Sequence, residues 1–344
     1  MKSCVLLLTV VCGTAAVQSP PSIIGSGWGL DHVIVAVQGP EVVKDVLESK
    51  LGFSAITHGK SPSVGLENTI IFLPPAPYIE LVWPYQDPAP DARLVGTLVR
   101  KKIALGGGPA AYNVDVSDAS QTADAMRQLG LRVNLPLTPM HIMPDGSQAR
   151  GPWQFADIDP QDQAAVPYGV PGGPGVGFIA YTNAADRMKP DRFQRVLERA
   201  TQEAPDPRRP AGEISANTAR KLRAAWVAVP SVVEALKQAA RFGFPATRSH
   251  IAALGETGEE VQCGEGTIVF FEAKHPDSQL AAIVRKKGLG PFGISVGVAN
   301  LKAAQRIVKE GTQATFEIRV EKSRRSFVVP AELAAGTVFE FVQE

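Results

Sequence analysis

One unit recurs four times along the sequence, and this repetition constrains the fold more than any other feature. Each unit begins with a five- to six-residue apolar strand and continues into an amphipathic helix. The strands read HVIVAV, AYNVDV, AAWVAV and GISVGV, and the helices are followed by Gly52, Gly130, Gly243 and Gly311. Glycine at such a position predicts a left-handed cap that ends the helix and turns the chain back.

Strand-like segments follow each of these glycines. NTIIFL and YIELVW complete the first unit, WQFADI and GFIAYT the second, GTIVFFEA the third, and TQATFEIRV, RSFVVP and GTVFEFV the fourth. Helices of this size cover one face of a sheet and leave the other face free. We therefore predict an α+β protein of four βαβββ modules, in which paired curved sheets form two cup-shaped halves.

The stretch between the second and third units is polar and includes APDPRRPAGE, a composition typical of linkers. We place the first half at residues 28–185 and the second half at residues 221–344. Residues 186–220 are then a linker, within which PDRFQRVLERATQ has the pattern of a helix.

The N-terminus has the features of a secretory signal peptide. Lys2 precedes the short apolar run CVLLLTVVC and a Thr-Ala-Ala site, which predicts a leader over residues 1–18. We expect an exported protein, secreted or periplasmic. Because the run is too short to span a bilayer permanently, we expect no membrane attachment after the leader is removed.

The charge balance excludes some classes of partner. The 35 basic and 34 acidic side chains give a net charge of +1, so there is no general attraction to nucleic acid. Without the leader only Cys263 remains of three cysteines, and stability must come from packing rather than disulfides. The expected partner is a small molecule, and the oligomeric state stays open.

The first unit carries several motifs of a known group. It has a Leu-Asp-His strand at 30–32, a helix ending in Leu-Gly-Phe at 51–53, a loop leading to Asn68, and Ile-Glu-Leu at 79–81. These motifs resemble those of the vicinal oxygen chelate superfamily, and of its glyoxalase-like domain proteins in particular. The resemblance implies cups of the glyoxalase and dihydroxybiphenyl-dioxygenase type.

The resemblance also implies a divalent metal, of unknown identity, held by the first and last strands of paired modules. His32 and Glu80 are the implied ligands, and Asn68, Arg150 and Trp153 the implied lining of a substrate pocket. Such an ion would act as a Lewis acid on a bound oxygen. The residues agree in part, because a carboxylate among the apolar neighbours of Glu80 needs a partner.

The second module departs from this pattern. The position of His32 falls at about Ala111, and that of Glu80 at about Ala180. A cup built from modules one and two would therefore have two ligands rather than three or four. If module one pairs with module four instead, Glu340 could complete the site.

The second half offers its own pair of carboxylates. Glu272 and Glu340 lie at offsets of equal parity from Gly266 and Gly336, so we expect both on equivalent sheet faces. Two carboxylates in one cup could bind a metal or act as acid and base. We therefore take Glu340, with Glu80, as a candidate catalytic group and Glu272 as a candidate pocket residue.

Three functions remain open from the sequence. The first is a metal-dependent enzyme with lyase, isomerase or dioxygenase-type chemistry on a small oxygenated molecule. The second is a module that binds such a molecule in the cup without chemistry. The third is a degenerate structural copy without metal, in which large side chains would fill the cups.

Overall fold

The computed structural model describes residues 22–61, 65–74, 77–85, 94–142 and 146–344. The predicted leader lies outside these residues, so export stays a prediction. The described chain forms two curved sheets with helices, which confirms the α+β class and the two cup-shaped halves. None of the helices in this part of the chain is long and apolar enough to cross a membrane.

The first sheet contains the strands of modules one and two. They are β1 (Gly29–Ala36), β2 (Ile56–Ser61), β3 (Leu66–Phe72), β4 (Tyr78–Pro84), β5 (Gly108–Asp115), β6 (Met140–Ile142), β7 (Gln148–Arg150), β8 (Trp153–Ala156) and β9 (Val176–Tyr181). Their order is β7-β6-β2-β3-β4-β1-β5-β9-β8, and β1 pairs antiparallel with β5. Module one is therefore joined to module two.

The second sheet contains the strands of modules three and four. They are β10 (Ala219–Ala228), β11 (Ala246–Ala253), β12 (Glu256–Cys263), β13 (Gly266–Phe271), β14 (Gly290–Val298), β15 (Arg319–Glu321), β16 (Arg324–Val329) and β17 (Val338–Gln343). Their order is β11-β12-β13-β10-β14-β17-β16-β15, with β10 antiparallel to β14. The alternative pairing of module one with module four is therefore wrong.

Helices connect and cover the strands. They are α1 (Pro40–Val42), which continues as a π-helix (Val43–Lys50), α2 (Leu94–Ala104), α3 (Ala119–Gln128), α4 (Pro160–Gln163), α5 (Ala184–Arg187), α6 (Arg192–Glu203), α7 (Val232–Arg241), α8 (Gln279–Lys287), α9 (Leu301–Thr312) and a 3-10 turn (Ala331–Leu333). The four module helices were predicted. Asp118, Ser231 and Asn300 begin α3, α7 and α9, each accepting a backbone N–H three residues on.

The glycine caps are confirmed in three modules and wrong in the fourth. Gly52, Gly130 and Gly243 follow their helices with φ angles of 75°, 82° and 72°. Gly311 instead lies inside α9, and Gln313 takes the left-handed cap with φ 58°. A Cβ on Gly311 would lie 2.3 Å from the carbonyl oxygen of Lys50, so glycine is needed there for close approach to the π-helix.

Successive side chains of β1 point alternately to the core and into the cup. Val33 and Val35 belong to a core that also contains Val227 and Phe339 of the second half. Apolar side chains of the four module helices complete this core. The outer faces of both sheets therefore share one core. His32 and Ile34 point the other way, into the cup of the first half, as the strand parity predicts.

Most of the segment expected to be a linker packs on the first half, and its last two residues begin β10 of the second sheet. Its predicted helix is present as α6, and Val196 and Ala200 of this helix pack on Ile56 and Ile214. Arg187, at the end of α5, is also buried. The composition of APDPRRPAGE, which follows α6, suggested a linker, but the apolar face of α6 covers the sheet.

Two helices that the sequence did not predict, α2 and α8, join the modules within each half. Each carries a buried lysine that reaches the other half. Lys102 Nζ donates to the carbonyl oxygen of Pro291 at 3.1 Å, and Lys287 Nζ donates to those of Gly107 and Gly336 at 2.9 and 2.7 Å. Each half therefore donates a lysine hydrogen bond to a backbone carbonyl group of the other half.

Replacing Lys102 with methionine should change how stability depends on pH. Burial and the charge of Lys287 lower the pKa of Lys102 from 10.5 to about 8. Between these values the folded state binds fewer protons than the unfolded state, so stability rises with pH. We expect the free energy of unfolding in urea to rise more steeply with pH in the wild type than in Lys102→Met. Between about pH 8 and 10.5 the difference should grow by up to about 1.4 kcal/mol per pH unit.

The matched control is Lys302→Met, because Lys302 is exposed on α9. Its unfolding free energy should follow that of the wild type at every pH. A Lys102→Met variant that also followed the wild type between pH 8 and 10 would contradict the prediction.

Candidate functional site

A cavity of about 950 Å³ opens on the concave face of the first sheet. Apolar side chains make up much of its wall, among them Ile34, Ile70, Phe72, Val82, Phe155 and Ile179. The predicted pocket residues Asn68, Arg150 and Trp153 also line it. The volume lies at the upper end of the usual range for sites that enclose small molecules.

His32 is held in a fixed orientation on this wall. Its Nδ1 lies 2.5 Å from Asp31 Oδ2, and its ring stacks on Tyr78 with centroids 4.3 Å apart. Asn113 Nδ2 lies 2.6 Å from Nε2. When Nδ1 carries the proton and donates to Asp31, Nε2 accepts from the Asn113 amide.

Asp31 is fully buried and binds several groups besides His32. It accepts hydrogen bonds from the Tyr181 hydroxyl at 2.8 Å and from the Arg187 guanidinium. Arg187 stacks on the Tyr181 ring and lies 3.5 Å from Asp115 Oδ2. Burial raises the pKa of Asp31, but His32 and Arg187 outweigh it and hold that pKa below its usual value.

Asp115 is the second carboxylate beside Arg187, and its pKa is shifted in the opposite direction. Burial and the negative charge of Asp31 raise the pKa of Asp115 to about 6, although Arg187 opposes the shift. Asp115 also accepts a hydrogen bond from the backbone N–H of Trp28. One arginine thus serves two buried acids, of which Asp31 is the more acidic.

Glu80 lies beside His32 on the neighbouring strand. Its Oε2 is 3.6 Å from His32 Nε2, and its Oε1 accepts a hydrogen bond of 2.6 Å from Asn68 Nδ2. In the parallel pairing of β1 with β4, His32 is opposite Tyr78 and Ile34 is opposite Glu80. Both functional side chains therefore face the cavity, and the Glu80 side chain is 20% exposed.

Among the described residues of the second module, the strand positions equivalent to His32 and Glu80 carry no acidic or imidazole group, although Asp157 lines the cavity elsewhere. Ala111 lines the cavity, as expected, but Ala180 lies on the core face. The cavity-facing residues of β9 are instead Gly177, Ile179 and Tyr181.

These donors do not fit the expected divalent metal. Among the described residues, no three or more histidine, cysteine, aspartate or glutamate side chains are grouped to hold an ion. Protein metal sites of this kind use at least three such ligands. In addition, when His32 Nδ1 carries the proton, the Asn113 amide occupies the Nε2 lone pair that a metal would need.

Glu340 is the counterpart of Glu80 in the second sheet but is not open to a ligand. Ser295 is opposite Glu340 in the pairing of β14 with β17, as Ile34 is opposite Glu80. The Glu340 carboxylate is buried and binds Arg324 Nη2 and Ser295 Oγ, each at 2.5 Å. The structure therefore does not bring Glu340 to His32, and a guanidinium already neutralises it.

The cup around Glu340 is filled by aromatic rings. Trp226 lies against Phe271 and Phe292, with centroids 5.2 and 6.0 Å away, and donates from Nε1 to Ser295 Oγ at 2.9 Å. This is the filling expected of a structural copy, and it is confined to the second half.

Glu272 is not a pocket residue. It lies outside the cavity and accepts the backbone N–H of Val232 at the start of α7, at 3.1 Å. Trp226 is opposite Val269 in the pairing of β10 with β13, so Val269 takes the register position of Glu80. Counting from a glycine failed here because only strand pairing fixes which residues are equivalent.

Sequence reasoning missed much of the polar cluster. Asp31 carried a usable signal, since a carboxylate inside an apolar strand needs a partner just as Glu80 does. Asn113 and Tyr181 lie in apolar strands whose facing became clear only from the pairing. Arg187 had no signal, because it comes from the segment interpreted as a linker.

Comparison with known proteins shows the family to which this chain belongs. A sequence model described as a glyoxalase-like domain matches residues 30–218, more than half of the chain. The chain belongs to the glyoxalase-like domain family. The match extends through α5 and α6, in agreement with the packing of both helices on the first half. It also confirms the predicted membership of the vicinal oxygen chelate superfamily.

Solved structures match this glyoxalase-like protein over nearly its full length. A triple mutant of 4-hydroxymandelate synthase from Streptomyces coelicolor has 13% identity and a TM-score of 0.59, covering 94% of this chain and 93% of its own. A hypothetical protein from Staphylococcus aureus has 10% identity and a TM-score of 0.57, covering 92% and 99%. These likenesses show the fold alone. No curated protein sequence matches the chain significantly.

Proposed function

We propose that this glyoxalase-like protein binds a small, largely apolar molecule with an oxygen-bearing end in its first half, and that Glu80, beside His32, moves a proton on it. One observation carries the proposal. His32 Nε2 and Glu80 Oε2 lie 3.6 Å apart on the wall of a cavity of about 950 Å³. The filled second cup supports the assignment of ligand binding to the first half alone.

Glu80 is suited to be the base. Its carboxylate is partly exposed to the cavity, lies among apolar neighbours and is oriented by Asn68. We propose that it removes a proton from the carbon next to a carbonyl group, while the electron pair moves to the carbonyl oxygen. Return of the proton to that carbon gives the starting ketone or its mirror image.

Asn113 is suited to stabilise the enolate oxygen, and His32 is suited to hold the Asn113 amide in place. Asp31 and Tyr78 fix the imidazole, so its Nε2 accepts from the Asn113 amide at one place on the wall. The Asn113 amide has a second N–H besides the one directed at His32, and this N–H can donate to a developing oxyanion. No step needs a metal.

The Glu80→Gln variant tests the proposal. In D2O with a chelator present, proton NMR follows the exchange of the methylene protons of phenylacetone, a small ketone with an apolar ring. The wild type should accelerate this exchange, and Glu80→Gln should lose at least about 100-fold of the acceleration. Glu272→Gln is the matched control and should keep the wild-type rate, because Glu272 lies outside the cavity.

The other outcomes separate the alternatives. Equal rates for the wild type and Glu80→Gln would overturn the role of Glu80. Binding of phenylacetone without exchange would overturn the acid and base roles and favour the non-catalytic binding module. Exchange that appears only after a divalent metal is added would restore the expected ligand roles of His32 and Glu80.

A further inference from the structure

Three arginines line the cavity. Arg150 is exposed on β7, whereas Arg187 and Arg192 are more enclosed and differ in what binds them. Arg187 is paired with Asp31 and Asp115 and covered by the Tyr181 ring. Arg192, the first residue of α6, donates from Nη1 to the carbonyl oxygen of Arg187 at 3.1 Å. Its guanidinium also lies 5.6 Å from the centroid of the Phe72 ring.

Arg192 lacks a counter-ion within the described part of the chain. Its contacts there are a carbonyl oxygen and a ring face, and neither neutralises a charge. Burial and the like charge of Arg187 lower the pKa of Arg192, which reflects an environment unfavourable to its charge. A guanidinium has five N–H donors, so most of its donors remain available to an anion from solution.

Aromatic rings connect Arg192 to His32 and Glu80 along the cavity wall. Phe72 is opposite Tyr78 in the pairing of β3 with β4, and their ring centroids are 6.2 Å apart. Tyr78 in turn stacks on His32. Arg192, Phe72, Tyr78 and His32 thus follow one another along the cavity wall. A ligand whose oxygen is at His32 can extend over Phe72 to Arg192.

We infer that Arg192 selects ligands that carry a carboxylate, which the guanidinium binds while the apolar body covers Phe72 and the carbonyl end reaches His32 and Glu80. The inference rests on the proposed function, since it uses the same cavity. The planar fork of a guanidinium matches a carboxylate in shape. The single positive charge of Arg192 also balances a carboxylate better than a doubly charged phosphate.

A pair of probes that differ only in charge tests this inference. The acid 4-(2-oxopropyl)benzoate carries a ketone and a carboxylate at opposite ends of an aromatic ring, and 4-(2-oxopropyl)benzamide is its neutral counterpart. By isothermal titration calorimetry, the wild type should bind the acid about 10- to 100-fold more tightly than the amide, the range expected for a charged hydrogen-bonded pair. Arg192→Gln should remove this preference without changing the affinity for the amide.

Arg195→Gln is the control on the same helix, since Arg195 is exposed and pairs with Asp191. It should keep the full preference for the acid. If Arg192→Gln also keeps it, or the wild type binds acid and amide equally, the inference is overturned while the cavity keeps its proposed function. If the wild type binds neither probe, the proposed function fails as well. Unchanged amide binding in Arg192→Gln confirms that the variant is folded.

Discussion

Replacing Arg187 with methionine is expected to lower the free energy of unfolding by about 3–5 kcal/mol, because it leaves buried carboxylates without their cation. Asp31 is fully buried, and Asp115 is only 6% exposed. Methionine fills part of the space but offers no hydrogen bond donor. Ionised Asp31 would then retain His32 and Tyr181 as partners but lose the charge that balances it.

Urea unfolding at pH 7 measures this loss. The control is Arg306→Met, which breaks an exposed ion pair with Glu310 on α9 and should cost less than about 1 kcal/mol. The double variant Asp31→Asn with Arg187→Met should recover part of the stability, because the buried charge is removed with its partner. A loss for Arg187→Met no larger than that for Arg306→Met would contradict the prediction.

Replacing Trp226 with alanine is expected to cost about 3–5 kcal/mol as well, for a different reason. Trp226 is fully buried at the centre of the second cup, against Phe271 and Phe292. Alanine would leave a void among rings that cannot collapse freely, since sheet and helix hold them on both sides. The change also removes the donor to Ser295, which binds the buried Glu340.

The matched control for this prediction lies in the open cup. Trp153 lines the cavity of the first half and is partly exposed, so its removal widens a space that already exists. Trp153→Ala should therefore cost less than half of what Trp226→Ala costs in the same unfolding measurement. Equal losses would contradict the distinction between an open first cup and a filled second cup.

The sequence by itself determined the four modules and which side chains of β1 face the core or the cup. The four strand and helix repeats, the three glycine caps and the alternation of β1 follow from short-range rules, since period and capping depend on neighbouring residues. For the same reason the facing of His32 could be counted from within β1. That Glu80 lies in the same cup was implied by the resemblance to the family, and both residues line the cavity.

Only the tertiary structure decided how the modules pair and which polar groups meet. Glu340 and Glu272 were misplaced because their roles depend on register between strands far apart in sequence. Arg187 reaches Asp31 across 156 residues, and no local pattern encodes such a contact. The filling of one cup and the opening of the other likewise depend on the volumes of side chains brought together from several strands, which no single segment determines.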